Sequence, residues 1–198
     1  MKRCVLRQGL DATTLREIGR EAGFTTGVIT HHFPDKAAVV RACFETISGD
    51  WIGDVELRLA RAASVHEKFV ELVRIALPLE PDSQREWRLW AEMWAYAGTD
   101  PEFVPVLIEV DARWERQVLR LLYEARGAGL LRAEVDVELQ AGIVVRLIDG
   151  LGLRSWLSGG WDPARRQLTH HVASLMSDPD AERRLLELAE TPLAEAAR

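Results

Sequence analysis

The chain has 198 residues, 47% of them hydrophobic, with a formal net charge of -6 and two cysteines. That length suits one large domain or a small domain joined to a bigger one, and the acidic balance excludes a protein that coats polyanions over its whole surface. The charge is uneven: residues 1–44 hold seven Lys/Arg against four Asp/Glu, a balance of +3, while the remainder holds 18 against 27, a balance of -9. Nucleic acid is welcome only at the amino-terminal segment. Cys4 and Cys43, at unrelated spacing in a chain with no basic-then-apolar leader, are expected to be reduced, small core residues of a cytoplasmic protein. No apolar run approaches the ~20 residues of a membrane-spanning helix, so no membrane partner is expected.

Alternating strand patterns are absent and apolar residues recur at helical spacing, which predicts an all-α protein. Gly, Pro and Asp punctuation divides it into about nine helices, at 2–8, 14–22, 26–32, 35–61, 64–78, 83–97, 101–127, 136–158 and 163–177. A last helix is expected near 180–191, followed by a frayed tail. The break between a small amino-terminal unit, 1–44, and a larger bundle, 45–198, is expected inside the long helix beginning at Asp35.

The first forty-four residues carry the clearest local chemistry. In "TLRE", Thr14 can cap a helix through its hydroxyl while Glu17, three residues on, reaches back to the capping residue's amide. Leu15, Ile18, Gly19 and Ala22 then share one face, with Arg16, Glu17, Arg20 and Glu21 on the other. Gly23 supplies a left-handed turn and Phe24 is expected to plug the corner. Thr25 caps the next short helix, whose apolar edge is Ile29 and Phe33, so Thr26, Gly27, Thr30 and His31 must point away. Pro34 ends the segment and Asp35 caps the next helix, leaving Lys36 able to reach a phosphate. This is the pattern of a helix-turn-helix, whose second helix enters the major groove.

The stretch "TTLREIGREAGFTTGVITHHFPDKAAVV" resembles the DNA-binding segment of TetR-family transcriptional regulators, with Thr14, Ile18, Ala22, Gly23, Thr25, Gly27, His31, Phe33 and Lys36 at the family's spacing. The resemblance implies that Thr14 and Lys36 hold phosphates while Thr26, Gly27, Thr30 and His31 lie in or beside the groove. Thr30 stands where the family usually has tyrosine, and His32 replaces another common aromatic; the small hydroxyl residue in "GVITHHF" is similar to the BetI-like branch. The family's first helix is about twice as long and follows a basic arm, whereas "MKRCVLRQGLDA" leaves barely two turns; fewer phosphate contacts, those of Lys2 and Arg3 among them, are then expected. A capped amphipathic helix pair also occurs in ordinary helical bundles. Adjacent His31 and His32 have no Cys or acidic partner at a ligand spacing, so no metal site is expected.

Beyond residue 44, "EWRLWAEMWAYAG" puts Trp87, Trp90 and Trp94 on one helical face, within reach of Trp114 on the next helix. Such a stripe serves either as ordinary core or as a pocket, because aromatic faces attract cations by ~0.5–2 kcal/mol each. A small, partly apolar effector is expected among Ile75, Leu79, Trp87, Trp90, Trp94 and Trp114. The segment "LPLEPDSQREWRLWAEMWAYAGTDPEF" resembles a carboxy-terminal domain of BetI-like regulators. Residues 141–157, "AGIVVRLIDGLGLRSWL", are apolar nearly all round, which does not suit the surface of a monomer. A homodimer interface is expected at Gly142, Val145, Arg146, Asp149, Gly150, Leu153, Leu168, Val172 and Leu175, with glycines that admit a neighbour; burial within one chain is the alternative.

The reading is a ligand-responsive transcriptional repressor of the helix-turn-helix class, all-α, binding double-stranded DNA at a palindromic operator as a homodimer and needing no cofactor. Two rivals stand beside it: a helical dimerisation module with weak DNA binding, and a helical-bundle enzyme. The enzyme lacks support, since no Glu-x-x-His pair, phosphate loop, nucleophile elbow or zinc motif is present and no catalytic residue can be named.

Overall fold

The computed structural model describes residues 1–190, and every regular element among them is an α-helix. The frayed tail expected past residue 191 lies outside the described residues. The ten helices are α1 (Lys2–Gln8), α2 (Leu15–Ala22), α3 (Thr26–His32), α4 (Lys36–Arg61), α5 (Val65–Ala76), α6 (Pro81–Ala97), α7 (Val104–Gly127), α8 (Val137–Ser158), α9 (Trp161–Ser174) and α10 (Ala181–Glu190). Extended pairing among the described residues is limited to one isolated bridge, Leu131 with Met176. No helix among them is long and apolar enough to cross a membrane.

Packing divides the chain into two compact units, Met1–Ile52 with Arg85–Asp111, and Gly53–Gln84 with the residues from Ala112 on. By packing, the division falls inside α4, after Ile52, and the first unit recruits most of α6. The reason is core completion. Helices α1 and α4 and the turn after α1 supply Val5, Val40, Phe44 and Leu10, too few to enclose one another, and Leu89, Met93 and Phe103 close the cluster. The rings of Phe44 and Tyr96 both meet Phe103 edge to face, at 5.5 and 5.1 Å.

A second, smaller cluster in the first unit holds the helix pair: Ile18, Ile29 and Val39, flanked by Leu15, Phe33 and Cys43. Cys4 is fully buried, but Cys43 is only half-buried, and burial pushes its thiol pKa up. The α2 start is a complete capping box, with the Glu17 amide donating to Thr14 Oγ1 at 3.2 Å and the Thr14 amide to Glu17 Oε2 at 2.9 Å. At its end Gly23 adopts φ 76°, and the Phe24 amide donates to the Gly19 carbonyl at 2.8 Å.

Phe24 does not plug the corner; 59% of it is exposed. Gly19 explains why. A Cβ there would stand 2.9 Å from the Phe24 carbonyl oxygen, so backbone fills the corner and leaves no room for a ring.

In the second unit, α5 packs on α9 and α10, and α8 on α9. Four residues expected at a dimer interface are buried inside this packing: Val145 is 4% exposed, Leu168 0%, Val172 1% and Leu175 4%. They cannot meet a partner chain without dismantling their own. An all-round apolar helix such as α8 has two populations of side chains, and Val145 belongs to the inner one, while Leu168, Val172 and Leu175 are buried along and just past α9.

Candidate functional site

Helix α3 has seven residues and buries one, Ile29. That burial supplies ~1.5–3 kcal/mol, and the Thr25 hydroxyl adds a cap, worth ~1 kcal/mol, by accepting from the Val28 amide at 3.4 Å. The helix stops at Phe33, which is extended (φ -128°, ψ 126°), as a residue preceding proline must be. Everything else faces out: Thr25, Thr26, Gly27, Val28, Thr30, His31 and His32 are exposed. Thr30 donates its hydroxyl proton to its own helix, to the carbonyls of Thr26 and Gly27 at 3.2 and 3.3 Å. It therefore offers a partner lone pairs and a methyl group. The His31 and His32 rings meet edge to face at 5.1 Å, and no group of three metal-ligating side chains occurs among the described residues.

Glycine at position 27 has no internal explanation. A Cβ there would meet nothing nearer than Thr25 Oγ1 at 3.8 Å, an ordinary contact. Its backbone is bare on an exposed surface, where close approach by something outside the chain is the remaining use.

The two residues expected to hold phosphates are committed elsewhere. Thr14 Oγ1 donates to Glu17 Oε2 at 2.9 Å, so a carboxylate already holds its proton. Lys36 Nζ donates to the carbonyls of Leu10 and Asp11 at 2.9 and 3.2 Å, tying the start of α4 to the α1–α2 connection. An ammonium has three protons, so Lys36 keeps one to offer. The basic residues of α1 are paired as well: Lys2 with Glu86 at 2.7 Å, and Arg3 and Arg7 with Glu21 at 2.6 and 3.8 Å.

Side chains missed by the sequence reading stand beside α3. A groove of about 610 Å³ is lined by Arg16, Glu17, Arg20, Phe24, Thr25 and Thr26. Arg16 and Arg20 are exposed and in no ion pair among the described residues. An i, i+4 pair of arginines on a polar face reads as a solvated surface; only the fold of α3 against α2 turns it into a wall.

Behind α2 and α3, α6 grips the end of α1 and the turn after it. Arg88 donates to the Leu6 carbonyl at 3.2 Å, Glu92 accepts from the Leu10 amide at 3.1 Å, and the two side chains pair at 3.3 Å. Gly9, at φ 86°, makes room: a Cβ would stand 2.9 Å from both Arg88 and Glu92. The same helix carries the tryptophans. Trp87 and Trp94 have ring centroids 6.2 Å apart, whereas Trp90 turns to Trp51 of α4, edge to face at 5.0 Å. Trp51 lies outside the expected set, and the stripe is split between two neighbourhoods. Ile75, Leu79 and Trp114 belong to the second unit, where Leu79 is 39% exposed and Trp114 buried.

On α8, the outer face differs from the expected one. Leu139, Ile143, Arg146, Gly150, Leu153 and Leu157 recur at alternating spacings of four and three; Leu139, Ile143 and Leu157 are exposed, Leu157 by 70%. Gly142 leaves room for its own chain: Arg146 folds back to the Gly142 carbonyl at 2.8 Å, and a Cβ would stand 3.0 Å from that guanidinium. Gly150 has open space around it. Asp149 is half-buried.

The geometry is that of a helix-turn-helix DNA-binding segment preceding a helical bundle. Residues 2–43 match the bacterial regulatory proteins of the tetR family, and residues 65–177 match the BetI-type transcriptional repressor carboxy-terminal domain. The chain belongs to the TetR family of transcriptional regulators. It is 30% identical to the transcriptional regulator BetI of Serratia proteamaculans (strain 568), over 76% of this chain and 74% of that one. It is 22% identical to the transcriptional regulator PksA of Bacillus subtilis (strain 168), over 87% of this chain and 84% of that one. In fold it is similar to a transcriptional regulator from Saccharomonospora viridis crystallised with choline, with a TM-score of 0.79 and 22% identity, covering 89% of this chain and 94% of that one. These relatives are regulators, not enzymes.

Proposed function

We propose that the protein is a homodimeric repressor that reads a palindromic operator with α3 and releases it when a small molecule binds near the tryptophans of α6. The observation that carries the DNA reading is the exposed row Thr25, Thr26, Gly27, Thr30 and His31 on a helix that buries one residue. Such a surface adds nothing to the core, and its hydroxyls, imidazole and bare backbone suit base edges and phosphates. Two-fold symmetry sets the two reading helices about 34–36 Å apart, one turn of DNA. Lys36 contributes its remaining proton to a phosphate, and Thr14 acts through the cap that orients α2. The test is a salt-dependent shift of a DNA fragment from the region upstream of the protein's own gene; no shift at low salt would remove the reading.

The dimer rests on the α8 stripe from Leu139 to Leu157. Its four-three spacing is that of a helix seam, and three large aliphatic side chains in solvent on one helix are the mark of an association surface. Gly150, Arg146 and Leu153 lie on that stripe, and Gly142 and Asp149 border it. Sedimentation showing a monomer at micromolar concentration would count against it.

For the effector, the chemistry of Trp87, Trp90 and Trp94, with Trp51 added, favours a small molecule with a diffuse positive charge, because indole faces attract cations. The choline bound by the Saccharomonospora viridis protein makes quaternary ammonium the first class to try. Occupancy is felt by the reading pair through α6, whose Arg88 and Glu92 hold Leu6 and Leu10, and through α4, which begins at Lys36. Its effect is bounded by the ligand's differential affinity for the two states. Titrating choline or betaine against tryptophan fluorescence tests this; unchanged emission and unchanged DNA affinity at millimolar ligand would remove that class. Regulation of this kind belongs to the cytoplasm.

A further inference from the structure

We propose that the groove between the outer face of α2 and the start of α3 seats one nucleotide of the DNA backbone, with Arg16 and Arg20 bracketing its phosphate and the Phe24 ring lying on its deoxyribose. The inference rests on the DNA-binding reading and deepens it by assigning roles to three residues outside the expected interface.

The first observation is charge left uncommitted. In the first unit Lys2, Arg3, Arg7 and Arg41 are each paired with a carboxylate. Arg16 and Arg20, one helical turn apart, are exposed and in no ion pair among the described residues, and both line the groove beside Thr25 and Thr26. The one carboxylate in the groove, Glu17, is already bound by the amide and hydroxyl of Thr14 and meets Arg20 only through space, not in an ion pair. Two guanidinium groups against one engaged carboxylate leave the groove cationic.

A second observation, of different chemistry, lies in the same groove. Phe24 shows 59% of its surface on a wall otherwise made of two cations, one carboxylate and two hydroxyls. A phenyl ring between charged groups suits an occupant that is itself part anion and part hydrocarbon. A nucleotide's phosphate and sugar fit that description, and sugar and phosphate contacts are the larger share of protein–DNA contacts. The groove is continuous with the exposed face of α3 through Thr25 and Thr26. In a helix-turn-helix the helix preceding the reading helix crosses the backbone, not the bases. That favours backbone over a base edge as the occupant.

The two chemistries give two signatures in one experiment. Affinity is measured for the intact protein on the upstream fragment and on unrelated duplex of equal length, across about 50–200 mM salt. Arg16→Ala and Arg20→Ala should each weaken binding about tenfold on both duplexes and make the slope of log K against log salt shallower by about 0.9. Phe24→Ala should weaken binding severalfold and leave the slope as it was. Arg16→Lys and Phe24→Leu serve as second variants should an alanine variant lose its thermal transition: the lysine should keep the slope and the leucine most of the affinity.

Wild-type binding with slopes unchanged in both arginine variants overturns this inference alone. So does an arginine variant that loses affinity only for the upstream fragment, which would make that arginine a reader of bases, and so does a Phe24→Ala variant of full affinity. A wild-type protein that binds neither duplex overturns the DNA-binding reading and this one with it.

Discussion

Helix α3 has seven residues and buries one of them, whereas α8 has 22, buries seven, and still leaves Leu139, Ile143 and Leu157 in solvent. The first is held by a cap and a single isoleucine and spends the rest of its surface on hydroxyls and histidines. The second has more apolar surface than its own unit can cover. The proposed regulator uses both: a rigid element with little to bury, free to meet a polar partner, and an oversupplied one that can meet a second copy. Surplus, polar in one place and apolar in the other, marks where this chain looks outward.

The largest effect is expected when the α8 surplus is made polar. Ile143→Glu combined with Leu157→Glu should leave each protomer folded, since both side chains are exposed, and should give a monomer in sedimentation at micromolar concentration. Losing the linked second half-site should then weaken operator binding by about 100-fold or more. A double variant that remains a dimer would show that another face carries the association.

Gly19 tests the other helix pair. Replacing it with alanine puts a methyl group 2.9 Å from the Phe24 carbonyl and 3.3 Å from Ile29 Cδ1. Backbone cannot step aside as a flexible side chain does, so Gly19→Ala should destabilise the fold by ~1–3 kcal/mol, read as a lower thermal midpoint with DNA binding lost in parallel. An unchanged midpoint would mean that α2 and the turn after it are not in close contact.

The helices themselves were legible. Caps at Thr14, Thr25 and Asp35, glycine at position 23 and proline at position 34 place α2, α3 and the start of α4 within a residue or two of their observed bounds. Local chemistry of this kind acts over four residues and is written in order along the chain. What was hidden depends on partners far away in sequence. Lys36 looks free until Leu10 and Asp11 come to meet it, and Phe24 looks buried until Gly19 lets backbone take its place. On α8, an apolar pattern on every side carries no periodic signal, so Val145 and Ile143 cannot be told apart until the fold covers one of them. Arg16 and Arg20 sit on the charged face of α2, where nothing local distinguishes a solvated arginine from a waiting one.

Gly27→Ala separates reading from folding. An alanine in place of glycine favours helix by up to ~1 kcal/mol, and the site has room for it, so the thermal midpoint should rise. DNA affinity should fall about tenfold as the methyl group holds the duplex off. Rise and fall in one variant would sharpen the contrast between α3 and the core; equal movement of both in one direction would blunt it.

The smallest effect concerns Glu17. The Gln8 amide and then the backbone and hydroxyl of Thr14 hold its carboxyl down to about 2, from an ordinary value of 4.5. The unfolded chain therefore takes up the proton first. The contribution of this carboxylate to stability is complete above pH 4.5 and is lost as pH falls from there towards 2. Wild type and Glu17→Gln should differ in thermal midpoint at neutral pH and converge across that window. Because the residue is only half-buried, solvent screens its charge and the difference should be a minor one. Its second consequence runs the other way. Glu17 is the negative member of the groove that holds Arg16 and Arg20, so the glutamine variant, though less stable, should bind duplex slightly more tightly at low salt. A variant that lost both stability and DNA affinity would place the carboxylate among the groups that orient α2 for reading, and its charge would then matter less than the cap it makes.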